Sequence, residues 1–308
     1  MKKQFNKTRR PRLLILGCGD VGMRLLPLVR QRFRVIAVTS QPQRCAELRA
    51  AGAMPVVADL DCRHTLARLS GMAEYVVHLA PPPADGQTDR RTRHLAAILP
   101  DNVRLVYVST TGVYGDCAGA KFDETRPVAP RNARAVRRVD AERTLRGWAK
   151  RRHGRLSILR VPGIYAADRL PLERLQRGTP ALLPEEDVYT NHIHADDLAR
   201  LVLRALWYGR PQRVYHAVDN SDCRMGDYFE QVANAFGLTP PPRVSRAELA
   251  QQVTPVMLSF MSESRRLLNH RITDELGFRF QYPDVAAGLA AAVAERRAGI
   301  DDHSAAMR

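Results

Sequence analysis

The chain has 308 residues, 45% of them hydrophobic and 26% charged, which is long enough to bury a large α/β core and too apolar for a disordered segment. Its formal net charge is +16, yet arginine greatly outnumbers lysine and is scattered through every segment, so the charge reads as solvated surface and no dedicated nucleic-acid binding is expected. Cys18, Cys45, Cys62, Cys117 and Cys223 are odd in number and form no C-x-x-C pair, which points to free thiols in a reducing, cytoplasmic setting and argues against a metal site.

The N-terminal arm carries Lys2, Lys3, Lys7, Arg9, Arg10 and Arg12 and reads as a frayed lead-in, residues 1–11 forming a tail. Thr8-Arg9-Arg10 ahead of an apolar run ending Leu16-Gly17-Cys18 imitates an export signal, but the run is too short and Asp20 follows at once. No window reaches membrane-spanning length, and no membrane partner is expected. Leu13-Leu14-Ile15-Leu16 is instead a buried strand that opens into Gly17-Cys18-Gly19-Asp20-Val21-Gly22. The G-x-G-x-x-G spacing suits a dinucleotide: Gly17 permits the tight turn, Gly19 lets backbone approach a pyrophosphate, and Gly22 lets the next helix pack close. Bare N–H groups at that helix N-terminus then face the phosphates. Helix Met23–Arg32 and strand Arg34–Thr39 complete a βαβ unit.

Alternation continues through helix Gln43–Ala51, strand Met54–Ala58, a helical Thr65–Ser70 and strand Tyr75–Ala80, so the sheet is expected to be parallel, with ligands at the carboxyl ends of its strands. Pro81 to Pro83 make a stiff loop at that edge. Helix Thr88–Leu99, strand Val103–Ser109, helix Asn132–Arg151 and strand Leu156–Val161 follow. After them come helical Leu170–Gly178, a strand near Tyr189–Ile193, helix Ala195–Tyr208, strand Arg213–Val218, and an irregular tail with helices near Met225–Phe236 and Arg246–Gln252. The expected architecture is α/β: a Rossmann doubly wound parallel sheet (residues 12–165 and 186–220) with a small C-terminal substrate domain (166–185 and 221–300), residues 301–308 forming a second tail.

The strand Leu105–Val108 empties into Ser109-Thr110-Thr111-Gly112-Val113-Tyr114-Gly115, hydroxyls gathered where a substrate oxygen would meet a nicotinamide ring. With the glycine turn, Val77-His78-Leu79-Ala80, Leu159-Arg160-Val161-Pro162-Gly163-Ile164-Tyr165 and His192-Ile193-His194-Ala195-Asp196-Asp197-Leu198, the chain resembles the short-chain dehydrogenase/reductase superfamily along almost its whole length. The likeness is to the extended branch of nucleotide-sugar epimerases and dehydratases, and within it to atypical members. Ser262-Glu263-Ser264-Arg265-Arg266-Leu267 and Glu275-Leu276-Gly277-Phe278 carry the same resemblance.

The resemblance implies that Thr110 stands at the catalytic serine/threonine position and that Gly17, Gly19, Asp20, Val21 and Gly22 form the pyrophosphate loop. It places Asp59 and Leu60 beside the adenine, Leu79 and Ala80 on the cofactor shelf, Ser109 and Arg138 on the cofactor side of the hydroxyl strand, and Pro162 to Ile164 against the nicotinamide. One departure stands out. Anchored on Glu142, the family's Tyr-x-x-x-Lys pair falls on Arg134 and Arg138, and no such pair occurs anywhere in the chain. A guanidinium stays protonated at any relevant pH and cannot relay the proton that the tyrosine relays.

After the second strand the chain reads Thr39-Ser40-Gln41-Pro42-Gln43-Arg44, with no acid to hold ribose hydroxyls and with Ser40 and Arg44 placed for a phosphate, which favours NADP over NAD. A solvated helix start is the alternative for Arg44. His192 and His194 are read as strand residues, with Asp196 or Asp197 as a helix cap, and no metal is expected. Tyr114, Tyr165 and Arg169 are expected at the cleft, with simple packing as the alternative for the tyrosines. Two functions stay open: an NAD(P)-binding oxidoreductase or epimerase acting on a polar, nucleotide-sugar-type small molecule, or a catalytically silent NADP-binding redox or metabolite sensor. The oligomeric state, a homodimer included, is left open.

Overall fold

The computed structural model describes residues 10–306, so Lys2, Lys3, Lys7 and Arg9 of the basic arm lie outside the described residues. The chain divides into two compact units, residues 1–110, 132–160 and 199–215, and residues 111–131, 161–198 and 216–308. This division assigns 111–131, 161–165, 186–198 and 216–220 to the second unit, where the sequence places them with the sheet, and the second unit is not small. Among the described residues no helix is long and apolar enough to cross a membrane.

The first unit is built on a seven-stranded parallel sheet: β1 (Arg12–Leu16), β2 (Arg34–Thr39), β3 (Met54–Val57), β4 (Tyr75–His78), β5 (Arg104–Thr110), β6 (Arg155–Val161) and β7 (Arg213–His216). Their order is β7-β6-β5-β4-β1-β2-β3. Parallel strands are covered on both faces, hence their unbroken apolar runs: Leu13 to Leu16 are at most 2% exposed. The connecting helices are α1 (Asp20–Val29), α2 (Cys45–Ala50), α3 (Arg63–Leu66), α4 (Arg90–Ile98), α5 (Ala133–Arg151) and α6 (Ala195–Tyr208). Helix α1 begins inside the glycine motif and not at Met23, because Met23 N–H already donates to Gly19 O at 2.8 Å. Leu66, Leu95, Leu105, Leu145, Trp148 and Ile158 share one core on one face of the sheet.

The strand order reverses between β4 and β1. β1 pairs with β2 on one side and β4 on the other, so the helices after β1 and β4 leave toward opposite faces and open a crevice at the strands' carboxyl ends. The glycine turn, the loop after β2 and the proline loop after β4 all lie at that edge.

The second unit has its own core of Tyr165, Leu175, Leu182, Tyr228, Phe229, Val232, Leu249 and Leu289, with short two-stranded ladders around it. One ladder pairs Gly163–Tyr165 with His192–His194 in parallel. Its C-terminal helix, Val285–Ala306, takes in residues 301–306 of the expected tail and was not foreseen. The stretch Ala286 to Ala294 is alanine-rich on every side, so it offers helix propensity without a one-faced apolar period to reveal it. Asp284 accepts Ala287 N–H at 2.8 Å and caps the start.

Candidate functional site

The three glycines of the motif have different surroundings. Gly17 adopts φ +78°, and a Cβ there would lie 2.5 Å from Ala80 N, so a side chain meets backbone that cannot yield. Leu79 and Ala80 N–H both donate to Leu16 O, at 2.8 and 3.1 Å, which fixes the shelf after β4 against the turn. A Cβ on Gly22 would lie 2.9 Å from Cys18 Sγ and 3.4 Å from Leu79 Cδ1, where α1 packs down. A Cβ on Gly19 would meet nothing within 4 Å. Its Cβ direction opens on free space at a helix N-terminus.

That space is a cleft of about 280 Å³ in the first unit. Of the residues expected there, Gly17, Gly19, Ser40, Arg44, Asp59, Leu60 and Ala80 line it, and Pro81 lines it from the proline loop expected at that edge; Cys18 and Arg91 line it as well and were not expected. Asp20, Val21, Gly22 and Leu79 are not among its walls; Asp20 bonds Arg24 across one turn at 2.9 Å. Asp59 folds its own loop, its Oδ1 accepting Asp61 N–H at 2.9 Å. Asp61 in turn holds Arg91 Nη2 at 2.6 Å and Arg90 Nε at 3.0 Å, and the two arginines keep its carboxyl below the usual range. Arg91 Nη1 donates to Pro81 O at 3.0 Å, so the proline loop is tied to the adenine-side loop through one guanidinium. Arg91 was missed because nothing in the sequence reports that tie.

Arg44 stands at the far end of the cleft. It donates from Nη1 to Cys18 O at 2.8 Å and from Nε and Nη2 to the carboxylate of Glu47. The pairing lowers the Glu47 carboxyl and raises the Arg44 guanidinium. Burial pushes the Cys18 thiol up to about 11, which keeps it an inert apolar filler of the turn.

At the end of β5, Ser109 is buried and donates to Glu142 Oε1 at 2.6 Å. Glu142 also holds Arg160 through bonds of 3.1 and 2.7 Å, in a pair whose side chains are 5% and 6% exposed. Ser109 is therefore committed to a buried ion pair, and Thr110, half-buried and next along, is the more exposed hydroxyl of the two. Arg138 reaches back from α5 to this strand, donating to Val108 O at 2.9 Å and Tyr107 Oη at 3.0 Å. Arg134 lies exposed in the first turn of the same helix. Beneath Arg138, His78 Nε2 meets Thr92 Oγ1 at 2.9 Å, and Thr92 donates to Asp89 at 2.7 Å. Burial lowers His78 to about 3, so it is neutral.

Pro162 and Ile164, expected against the nicotinamide, fall in the second unit, half-buried at the ladder to His192–His194. Tyr114 and Tyr165 are packed there: the Tyr114 hydroxyl meets His216 Nε2 at 2.6 Å, and Tyr165 donates to Asp284 O at 3.0 Å. His216 Nδ1 contacts Leu268 O at 2.9 Å, so Nδ1 carries the proton and the phenol donates. Arg169 is exposed. His192 packs at a tilt against the Tyr228 ring and His194 against that of Tyr282, and among the described residues no group of three or more His, Cys, Asp or Glu could hold a metal ion. Asp196 and Asp197 both stand inside the first turn of α6, and the Asp197 carboxylate accepts the N–H groups of Gln281 and Tyr282.

A sheet reversing between β4 and β1, with an open glycine at the crevice, defines a Rossmann-type α/β fold. Residues 13–217 match the NAD dependent epimerase/dehydratase family, and the chain belongs to it. The Escherichia coli K12 protein YeeZ is 27% identical over 184 residues, covering 59% of this chain and 59% of YeeZ, so the chain spans under two-thirds of that relative. A functionally unknown conserved protein from Silicibacter pomeroyi DSS is 29% identical, with a TM-score of 0.76 over 92% of this chain and 99% of its own. The dTDP-glucose 4,6-dehydratase DesIV of Streptomyces venezuelae, solved as a double mutant with NAD bound, shares the fold at 21% identity, with a TM-score of 0.73 over 93% of this chain and 97% of its own.

Proposed function

We propose that the cleft holds a nicotinamide dinucleotide, NADP in preference to NAD, and that the chain is an oxidoreductase or epimerase-type enzyme acting on a polar, nucleotide-sugar-type small molecule. The observation that carries this reading is Gly19, whose missing side chain leaves open space at the N-terminus of α1 while its two companion glycines are closed by packing. A helix N-terminus and the positive end of its dipole suit a pyrophosphate there. Asp59 and Leu60 would flank the adenine, Ser40 and Arg44 the ribose and its 2′-phosphate, and Leu79 and Ala80 the shelf beneath.

Bound there, the dinucleotide supplies hydride acceptance and return. The chain's own contribution is placement. Thr110 orients the reacting oxygen, the role that the resemblance gives its position, and Ser109 supports the strand end through Glu142. Arg138, fastened to Val108 O, offers fixed positive charge at the position of the family's lysine. Neither arginine of the departed pair moves a proton, so a water held at Thr110 is the proton carrier in this reading. The nucleotide-sugar name of DesIV, which shares the fold, supports the substrate class. Titration of the purified protein with NADPH and NADH, followed by nicotinamide fluorescence, tests the reading: saturable binding with NADPH the tighter is expected, and no saturation with either overturns it.

A further inference from the structure

Arg44 serves two partners at once. Its Nη1 bond to Cys18 O, 2.8 Å, fastens the glycine turn to the loop after β2, while its Nε and Nη2 lie 2.9 and 3.2 Å from the two carboxylate oxygens of Glu47. These bonds occupy three of the five N–H groups of a guanidinium. The cation that lines the cleft is thus already shared with an anion from the helix that follows it.

We infer that Glu47 sets how strongly this cleft distinguishes a 2′-phosphorylated dinucleotide from an unphosphorylated one. The inference rests on the dinucleotide reading of the cleft. A 2′-phosphate seated on Arg44 shares one guanidinium with Glu47, which brings two anionic groups to about 5–6 Å of each other. At that separation, in water at ordinary ionic strength, the repulsion costs the phosphorylated ligand roughly fivefold in affinity. An unphosphorylated ribose brings only hydroxyls to the same place and feels none of it.

Glu47 also has a helpful side, since it holds the Arg44 fork in one orientation. That help is small, because exposed ion pairs of this kind contribute little and Glu47 is 49% exposed. The bond from Nη1 to Cys18 O keeps Arg44 in place without Glu47, so the repulsion wins. The same bond makes Arg44→Ala a poor probe: it frees the glycine turn as well and weakens both dinucleotides. Glu47→Gln removes only the charge and leaves an amide oxygen for Arg44.

The test is calorimetric titration of the intact protein and of Glu47→Gln with NADPH and with NADH, at low and at high salt. The NADPH Kd is expected to fall about fivefold in the variant, with NADH changed by less than about twofold and the NADPH gain shrinking at high salt. An unchanged NADPH-to-NADH ratio, a ratio shifted toward NADH, or a gain indifferent to salt overturns the role of Glu47. Failure of both dinucleotides to bind the unaltered protein overturns the reading of the cleft itself, and this inference with it.

Discussion

Arg160→Met removes the cation of the buried pair beneath Thr110 while keeping comparable apolar volume in its place. In the folded chain Glu142 then keeps one short bond from Ser109 but loses two from Arg160, of 3.1 and 2.7 Å, in a setting where its side chain is 5% exposed. A carboxylate stranded in this way typically costs about 3–5 kcal/mol. The lower end applies here, because Arg146 also faces Glu142 and is relieved of repulsion from Arg160. A loss of about 3 kcal/mol is therefore expected in urea unfolding followed by circular dichroism and by the fluorescence of buried Trp148. Replacing both partners, Glu142→Leu with Arg160→Met, takes the charge away altogether. The double variant should lose only about 1–2 kcal/mol, mostly from the Ser109 hydroxyl left without its acceptor and from Arg146 without its anion. A single variant that loses under about 1 kcal/mol, or a double variant less stable than the single, refutes the view that this pair is a desolvated, mutually dependent unit.

The second unit offers a pH test. Burial raises the Asp219 carboxyl to about 7, so the fold prefers its neutral form: the stability tied to that proton is complete below about 3.8 and is lost as pH rises through about 7. Asp219→Asn, neutral at every pH, should hold its melting temperature between pH 5 and 8 better than the unaltered chain, and parallel profiles refute the burial argument. The departed catalytic pair offers another test. Arg134→Tyr with Arg138→Lys restores a proton relay beside Thr110, and slow cofactor turnover on nucleotide-sugar substrates should rise above that of the unaltered chain, toward the roughly 10²–10⁴-fold that such a relay supplies. No gain, in a protein that still binds cofactor, means that the missing tyrosine is not what limits the chemistry.

Much of this molecule was legible before folding because the informative signals are local. Leu13 to Gly22 holds an apolar run and three glycines within ten residues, and each glycine's role follows from its neighbours in the turn. Helix α6 was read to its observed ends, because its apolar residues fall on one face and Asp196-Asp197 open it. What escaped depends on partners far along the chain. The hydroxyl of Ser109 is committed by Glu142, 33 residues away, and that of Tyr114 by His216, 102 residues away, so a strand end rich in hydroxyls looked more available than it is. Asp197 looked like a cap, and nothing local shows that it holds a loop 84 residues on. Glu47 carried no signal until the fold placed Arg44 between it and the glycine turn.

The central claim is that a dinucleotide lies against Gly19, and Gly19→Val tests it with little effect on the fold. Gly19 has φ −83° and ψ −150°, just outside the extended region, and its added Cβ meets nothing within 4 Å. The account predicts a folded variant with at most a small drop in thermal midpoint and with NADPH and NADH binding lost in calorimetry. A folded variant that binds both dinucleotides as tightly as the unaltered chain contradicts it.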